Sequence, residues 1–116
     1  FGIIGDGSAL MTIQGLWTAA NDNIPCIFVI CNNGMYRVLK MNFDVYQREI
    51  LQQKESAGEN LPYSDFPTPF DVAAIANSMG VHGERITDPS EIAPAVQRAV
   101  ASGKPAVLDI VIDGSL

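Results

Sequence analysis

The chain has 116 residues, the length of one domain, and a formal net charge of −6 with seven Lys and Arg residues in total. This charge balance excludes nucleic acid as a partner, because a phosphate backbone requires a concentrated basic surface. No apolar run approaches the roughly 20 residues of a membrane span, and no basic-then-apolar signal segment opens the chain. We therefore expect a cytoplasmic chain that does not contact a membrane.

Segments typical of strands and helices alternate along the chain, which predicts an α/β fold with a doubly wound parallel sheet and helices on both faces. Apolar spacing predicts a first strand over Phe1–Ile4 and a helix over about Ser8–Ala20 that buries Trp17. The run Cys26–Cys31 is apolar throughout, as expected for a central strand covered on both faces. Its two cysteines have opposite parity and cannot pair there, which predicts free thiols in a reducing compartment.

A second helix is predicted to begin near Tyr36. Its apolar positions are Val38, Leu39, Phe43 and Tyr46. From Gln52 to Pro67 polar residues, Gly and Pro replace this pattern, so we expect a loop or lid there.

Two further helices are predicted from their start and stop signals. Thr68–Asp71 resembles a capping box with Pro at the first helical position, and the helix that follows should end at Gly80. Asp88–Glu91 repeats this device before a last helix that ends near Gly103 and a closing strand over Ala106–Ile112. The last helix is expected to direct three apolar residues inward: Ile92, Val96 and Val100.

Two short polar turns carry the chemistry of the chain. Gly5–Ser8 follows the first predicted strand and Asn32–Gly34 follows the second, so a parallel sheet places both turns at one edge. The helix start after the first turn can hold phosphate oxygens, and Asp6 is compatible with a phosphate only if a divalent cation lies between them. The Asp6 carboxylate, the Asn33 amide, a backbone carbonyl just after Asn33, two phosphate oxygens and a water would complete an octahedral Mg²⁺ shell.

These turns, together with Leu16–Ala20 and Ile24–Pro25, resemble the C-terminal diphosphate-binding domain of the thiamine-diphosphate-dependent decarboxylase and acetolactate synthase superfamily. Within it, Leu16–Ala20 and Asn32–Tyr36 look most like benzoylformate decarboxylases. The resemblance implies Mg²⁺-dependent binding of thiamine diphosphate in a 2-oxo acid decarboxylase, a C–C lyase. It implies metal binding by Asp6, Asn33 and the Met35 carbonyl, and cofactor binding by Gly5, Asp6, Gly7, Ser8, Asn33, Met35 and Tyr36.

Two enzymatic alternatives and one non-enzymatic alternative stay open. An acetolactate synthase-like carboligase is one, although Met35–Lys40 departs from the segment that usually follows the asparagine in those enzymes. An oxalyl-CoA decarboxylase is the second, because such enzymes have a similar Tyr-Arg pair at Tyr36 and Arg37. The third is a non-catalytic metal- and diphosphate-binding module.

The resemblance also implies groups that lie elsewhere. A glutamate on the pyrimidine-binding domain of a partner subunit would engage the cofactor, the substrate would be a small 2-oxo acid, and the full-length enzyme would be a homodimer or homotetramer. No residue of this chain is assigned a catalytic role, and this holds for Glu49, Glu55 and Glu59 as well. We expect residues 1–116 to be one domain of a longer enzyme, inactive alone, with about Met41–Pro67 as a mobile cover over the cofactor.

Overall fold

A computed structural model describes residues 1–53 and 60–115. Its centre is a sheet of four parallel strands in the order β1-β2-β4-β3. The strands are β1 (Gly2–Gly5), β2 (Ile27–Asn32), β3 (His82–Ile86) and β4 (Ala106–Val111). In the register of the central pair, Ile30 of β2 lies beside Asp109 of β4.

Helices cover both faces of this sheet, and the predicted doubly wound α/β fold is confirmed. They are α1 (Asp6–Leu10), α2 (Gly15–Asn21), α3 (Arg37–Val45) with a π-helical turn over Tyr46–Ile50, α4 (Val72–Ser78), and a 3₁₀ turn over Pro89–Glu91 that leads into α5 (Ile92–Ser102). Leu16 of α2 and Ala76 of α4 pack on one face, and Ala95 and Ala99 of α5 on the other. No helix within the described residues is long and apolar enough to cross a membrane.

The first predicted helix, Ser8–Ala20, is wrong as a single element. The structure divides it into α1 and α2, and the hydrogen bonds Gly15 N to Thr12 O and Leu16 N to Ile13 O span three residues rather than four. Gly15 is a poor helix former and Thr12 and Ile13 are β-branched, so a tight turn replaces the middle of the helix.

Two residues predicted to be buried are exposed. Trp17 is 61% exposed, because Leu16 and Ala19 form the buried stripe of α2. Val100 is 55% exposed, because Ala95 and Ala99 occupy the positions of α5 that approach the sheet. In both helices the residues that face the core are therefore not the ones with the largest apolar side chains.

The predicted capping box at Thr68–Asp71 is also wrong in its register. Asp71 is the N-cap, and its carboxylate accepts a hydrogen bond of 2.7 Å from the Ala74 amide, so α4 begins three residues later than the box implies. The carbonyl of Phe70 is already bonded by the side chains of Asn32 and Arg85, which keeps this residue outside the helix.

The other helix signals are confirmed. Gly80 and Gly103 follow α4 and α5 with φ angles of +83° and +60°, the left-handed conformation that ends a helix. Asp88 caps the turn before α5, and the backbone amide of Ser90, with the Ser90 hydroxyl, holds the pKa of the Asp88 carboxyl below its ordinary value.

Helix α3 buries a charged residue and exposes several apolar ones. Its start near Tyr36 is as predicted, but its buried residue is Lys40, and Gln47 is buried in the π-helical turn that continues it. Most apolar residues of this segment are exposed, and they are Val38, Leu39, Met41, Val45, Tyr46, Ile50 and Leu51. A continuous apolar face of this kind is typical of a surface that another part of a protein covers.

Candidate functional site

Two turns meet at the carboxyl edge of the sheet. The first turn is Gly5–Ser8, where β1 passes into α1, and the second turn is Asn32–Gly34, at the end of β2. A cleft of about 330 Å³ lies between them. Its lining includes all seven residues that the sequence proposes for the site, namely Gly5, Asp6, Gly7, Ser8, Asn33, Met35 and Tyr36. Adjacent parallel pairing of β1 with β2 brings these residues together, as the spacing of the two turns predicts.

Asp6 connects the two turns. One carboxylate oxygen accepts a hydrogen bond of 2.9 Å from the Gly7 amide, and the other accepts one of 2.8 Å from the Gly34 amide. The residue is 2% exposed, and within residues 1–53 and 60–115 no Lys, Arg or His side chain forms an ion pair with it. Burying a carboxylate is costly unless hydrogen bonds and a positive charge compensate it, so the surroundings of Asp6 fit a bound cation.

The turn after β2 has the geometry of a ligand loop. Gly34 adopts a φ of +68°, a conformation that side chains with a Cβ rarely adopt, and this lets its amide reach Asp6. The Asn33 side-chain oxygen accepts a hydrogen bond of 3.2 Å from the Met35 amide, which holds the amide group beside the turn. The Asn33 side-chain oxygen and the Asp6 carboxylate oxygens each have a further lone pair that a metal ion can use.

The donor set is composed of hard oxygen atoms. In the part of the chain that the structure describes, no group of three His, Cys, Asp or Glu side chains could hold a metal ion. One carboxylate, one amide oxygen and one backbone carbonyl fit Mg²⁺ or Ca²⁺ rather than a softer metal, but they fill only half of an octahedral shell. A ligand that brings its own oxygens, such as a diphosphate, would complete the shell.

Comparison with known proteins decides the family. Residues 1–110 match the family described as thiamine pyrophosphate enzyme, C-terminal TPP binding domain. This chain belongs to that family.

The relatives of this thiamine diphosphate-binding domain include a decarboxylase and acetolactate synthases. Benzoylformate decarboxylase of Pseudomonas aeruginosa is 32% identical over 109 residues, which are 94% of this chain and 19% of that protein. A probable acetolactate synthase large subunit of Methanocaldococcus jannaschii is 37% identical over 111 residues, 96% of this chain and 17% of that protein. The chain thus spans about a fifth of the length of these relatives.

Solved structures show the same domain. The thiamine diphosphate-dependent 4-hydroxybenzoylformate decarboxylase of Rhodococcus jostii RHA1 is 31% identical and superposes with a TM-score of 0.80 over 98% of this chain and 20% of that chain. The fold alone is shared with benzoylformate decarboxylase from Polynucleobacter necessarius, at 24% identity and a TM-score of 0.81 over 98% of this chain and 19% of that chain.

The glycines of the thiamine diphosphate-binding domain differ in their surroundings. A Cβ built on Gly5 would meet no atom within 4 Å, which leaves its backbone open to a ligand. A Cβ built on Gly7 would collide with the ring of Tyr36 instead. Gly7 therefore permits Tyr36 to close over the first turn, a packing requirement that the sequence does not reveal.

Five residues of the cleft were not among those proposed from the sequence. They are Cys31, Arg37, Val38, Met41 and Ile112. The Arg37 guanidinium donates to the carbonyls of Gly114 and Ser115, and the Ile112 amide bonds the Asn32 carbonyl at 2.9 Å, so the segment after β4 is tied beneath the second turn. Backbone and hydroxyl hydrogen bonds from Ser115 lower the pKa of Asp113 in this segment, and Arg37 acts in the same direction.

Asn32 has a structural role rather than a place in the cleft. Its amide group donates to the Phe70 carbonyl and to one carboxylate oxygen of Asp109, both at 2.9 Å. The other oxygen of Asp109 accepts from the Val72 amide at 3.1 Å and from Arg85 at 3.0 Å. Sequence reasoning missed this network, and its one signal was an acidic residue in the middle of an apolar strand.

A larger cavity of about 540 Å³ lies between β2 and the α1–α2 segment. Its lining within the described residues is mostly apolar, with Ile13, Leu16 and Phe28 among its members, and includes no charged side chain. Size alone would favour this cavity as a ligand site, but a metal-diphosphate site requires the oxygen donors of the smaller cleft.

Proposed function

We propose that this domain binds thiamine diphosphate through a divalent cation, Mg²⁺ in the native enzyme, in a 2-oxo acid decarboxylase of the benzoylformate decarboxylase type. The observation that carries the proposal is Asp6, a buried carboxylate of the first turn that has no ion-pair partner in the described residues and accepts a hydrogen bond from the Gly34 amide of the second turn. In the proposal, Asp6, Asn33 and the Met35 carbonyl bind the cation, and Gly5, Gly7, Ser8 and Tyr36 contact the cofactor.

In this proposal the cofactor and the protein residues have different roles. Bound thiamine diphosphate supplies the electron sink that lets a 2-oxo acid lose CO₂. The residues of this chain bind and orient its diphosphate and exclude water from it. Because the protein alone offers about half of the ligands that Mg²⁺ needs, the cation and the diphosphate should each raise the affinity of the protein for the other.

Calorimetry on the full-length protein tests this coupling. We expect thiamine diphosphate to bind with Mg²⁺ or Ca²⁺ present and to lose most of its affinity in a chelator, and Mg²⁺ to bind weakly until the cofactor is added. Equal cofactor affinity with and without chelator would contradict the bridging cation. Absence of binding under all conditions would contradict the proposed function itself.

The reaction is proposed from the names of the relatives. Two of them are benzoylformate or 4-hydroxybenzoylformate decarboxylases, which favours decarboxylation of an aryl 2-oxo acid. The 37% identity to the acetolactate synthase relative makes carboligation the second candidate. Supplying the full-length protein with benzoylformate should yield benzaldehyde and CO₂, whereas formation of acetolactate from pyruvate would favour the second candidate. Cofactor binding without either product would indicate a non-catalytic module.

We also propose that a pyrimidine-binding domain of a partner subunit covers the cleft along the exposed apolar face of α3. Val38 and Met41 line the cleft and belong to that face, so the face continues directly from the site. No glutamate of this chain is proposed to engage the cofactor: Glu49 lies on the π-helical turn and is exposed, and Glu55 and Glu59 lie outside the described residues. We also propose that the full-length enzyme is a homodimer or homotetramer and that it is cytoplasmic.

A further inference from the structure

Residues 64–66 form a short antiparallel bridge with the second turn of the site. The Tyr36 amide donates to the Ser64 carbonyl at 2.6 Å, the Phe66 amide donates to the Gly34 carbonyl at 2.8 Å, and Met35 lies opposite Asp65. This stretch was predicted to be part of a mobile cover, but Ser64 is buried and the segment is bonded to the turn. The middle part of the predicted cover, residues 54–59, lies outside the described residues.

The bridge determines the direction of the Met35 peptide groups. In an antiparallel pair, a residue flanked by two interstrand hydrogen bonds directs its own N–H and C=O away from the partner strand. Gly34 and Tyr36 make those flanking bonds, so the carbonyl of Met35 is directed away from Asp65. Met35 also lines the cleft, where the proposed function gives this carbonyl to the metal ion.

An ion pair connects the same bridge to α3. The Lys40 ammonium lies 2.7 Å from a carboxylate oxygen of Asp65, and Lys40 is 5% exposed. Lys40 lies in the first turn of α3, the helix that begins directly after Tyr36, and Asp65 is the residue opposite Met35. The rings of Tyr36 and Phe66, with centroids 4.8 Å apart, hold the bridge next to this pair.

We infer that Asp65 and Lys40 are positioning residues for the metal site: they hold the bridge in register so that the Met35 carbonyl and Asn33 face Asp6. The inference rests on the proposed function. Its physical consequence is selective, because Mg²⁺ demands near-ideal octahedral geometry while Ca²⁺ accepts a looser shell. Loosening the bridge should therefore weaken Mg²⁺-supported cofactor binding more than Ca²⁺-supported binding.

The test measures thiamine diphosphate affinity of the full-length protein with each ion. Asp65→Asn is expected to weaken Mg²⁺-supported binding by about 10-fold to 100-fold, the usual effect of losing a group that orients metal ligands. Ca²⁺-supported binding should fall by a clearly smaller factor. Asp65→Glu keeps the charge on a half-exposed side chain and should restore most of the Mg²⁺-supported affinity.

Glu84→Gln provides the matched control. Glu84 lies on β3, the edge strand farthest from β1, and its carboxylate pairs with Arg98 of α5. The substitution should leave both affinities unchanged. If Asp65→Asn fails to fold, Lys40→Met removes the same pair while keeping an apolar stem of similar length, and the same shift in the Mg²⁺-to-Ca²⁺ ratio is expected.

Two results would overturn the inference while leaving the proposed function intact. One is unchanged affinity in Asp65→Asn, and the other is an equal loss with both ions together with a lower melting temperature, which would indicate a purely structural pair. Failure of the wild-type protein to bind the cofactor with either ion would instead contradict the proposed function.

Discussion

Replacing Asp6 by Ala in the full-length protein is expected to lower the Mg²⁺-supported affinity for thiamine diphosphate by at least about 100-fold, because loss of groups that merely orient metal ligands already costs 10-fold to 100-fold. The variant removes the single carboxylate of the donor set and also the acceptor of the Gly34 amide. Whatever affinity is left should no longer depend on the cation. Calorimetric titration with and without chelator measures both effects.

Asp6→Asn separates the two roles of this side chain. Its amide oxygen can still accept one of the two backbone hydrogen bonds, but its charge is lost, so the metal dependence should disappear while the turn is better preserved than in Asp6→Ala. The control is Asp22→Asn, the same chemical change at an exposed residue beyond the end of α2. An Asp6→Asn protein that keeps its metal-dependent affinity would show that the cation binds elsewhere.

Replacing Asp109 by Asn is expected to lower the local stability of the sheet and α4 by about 2–4 kcal/mol, since an unsatisfied buried donor costs about 1–3 kcal/mol and a hydrogen bond to a charged group contributes about 1.5–3 kcal/mol. Asp109 is fully buried and accepts from three donors, the Asn32 amide group, the Val72 amide and Arg85. In either orientation the new NH₂ group of Asn would face at least one of these donors.

Native-state hydrogen exchange on the full-length protein measures this loss directly. Amides of β4 and of the start of α4 should exchange about 30-fold to 1,000-fold faster than in the wild type, as a loss of about 2–4 kcal/mol requires. The exposed Asp22→Asn variant should change exchange little, because surface substitutions are usually within about 0.5 kcal/mol. Unchanged protection in Asp109→Asn would mean that the buried network contributes little to the stability of this edge of the site.

The fold and the edge that carries the site were predictable because their signals are local. An apolar run such as Cys26–Cys31 indicates a buried parallel strand, and the Gly5–Ser8 turn follows its strand directly in the chain. The strand boundary shifted by one residue, to Ile27–Asn32, without moving the turn. Parallel pairing then places two such turns side by side whatever the side chains between them do.

Features that depend on contacts between distant residues could not be predicted in this way. Lys40 and Asp65 are 25 positions apart and Arg85 and Asp109 are 24 apart, and nothing in their local sequence marks them as partners. The outward direction of Trp17 likewise depends on how α2 rotates against the sheet, which the neighbouring Leu16 and Ala19 determine. Periodicity predicted that α3 is a helix, but not that its buried residue is Lys40.

In the proposed site, Asp6 and the second turn hold a cation that binds the cofactor diphosphate. A crystal structure of the full-length protein with thiamine diphosphate and Mn²⁺ in place of Mg²⁺ tests it most directly, because anomalous scattering locates the ion independently of the cofactor. We expect one peak within about 2.5 Å of the Asp6 carboxylate, the Asn33 side-chain oxygen and the Met35 carbonyl, in contact with diphosphate oxygens. A cofactor bound at this edge without such a peak, or a peak that does not contact Asp6, would contradict it.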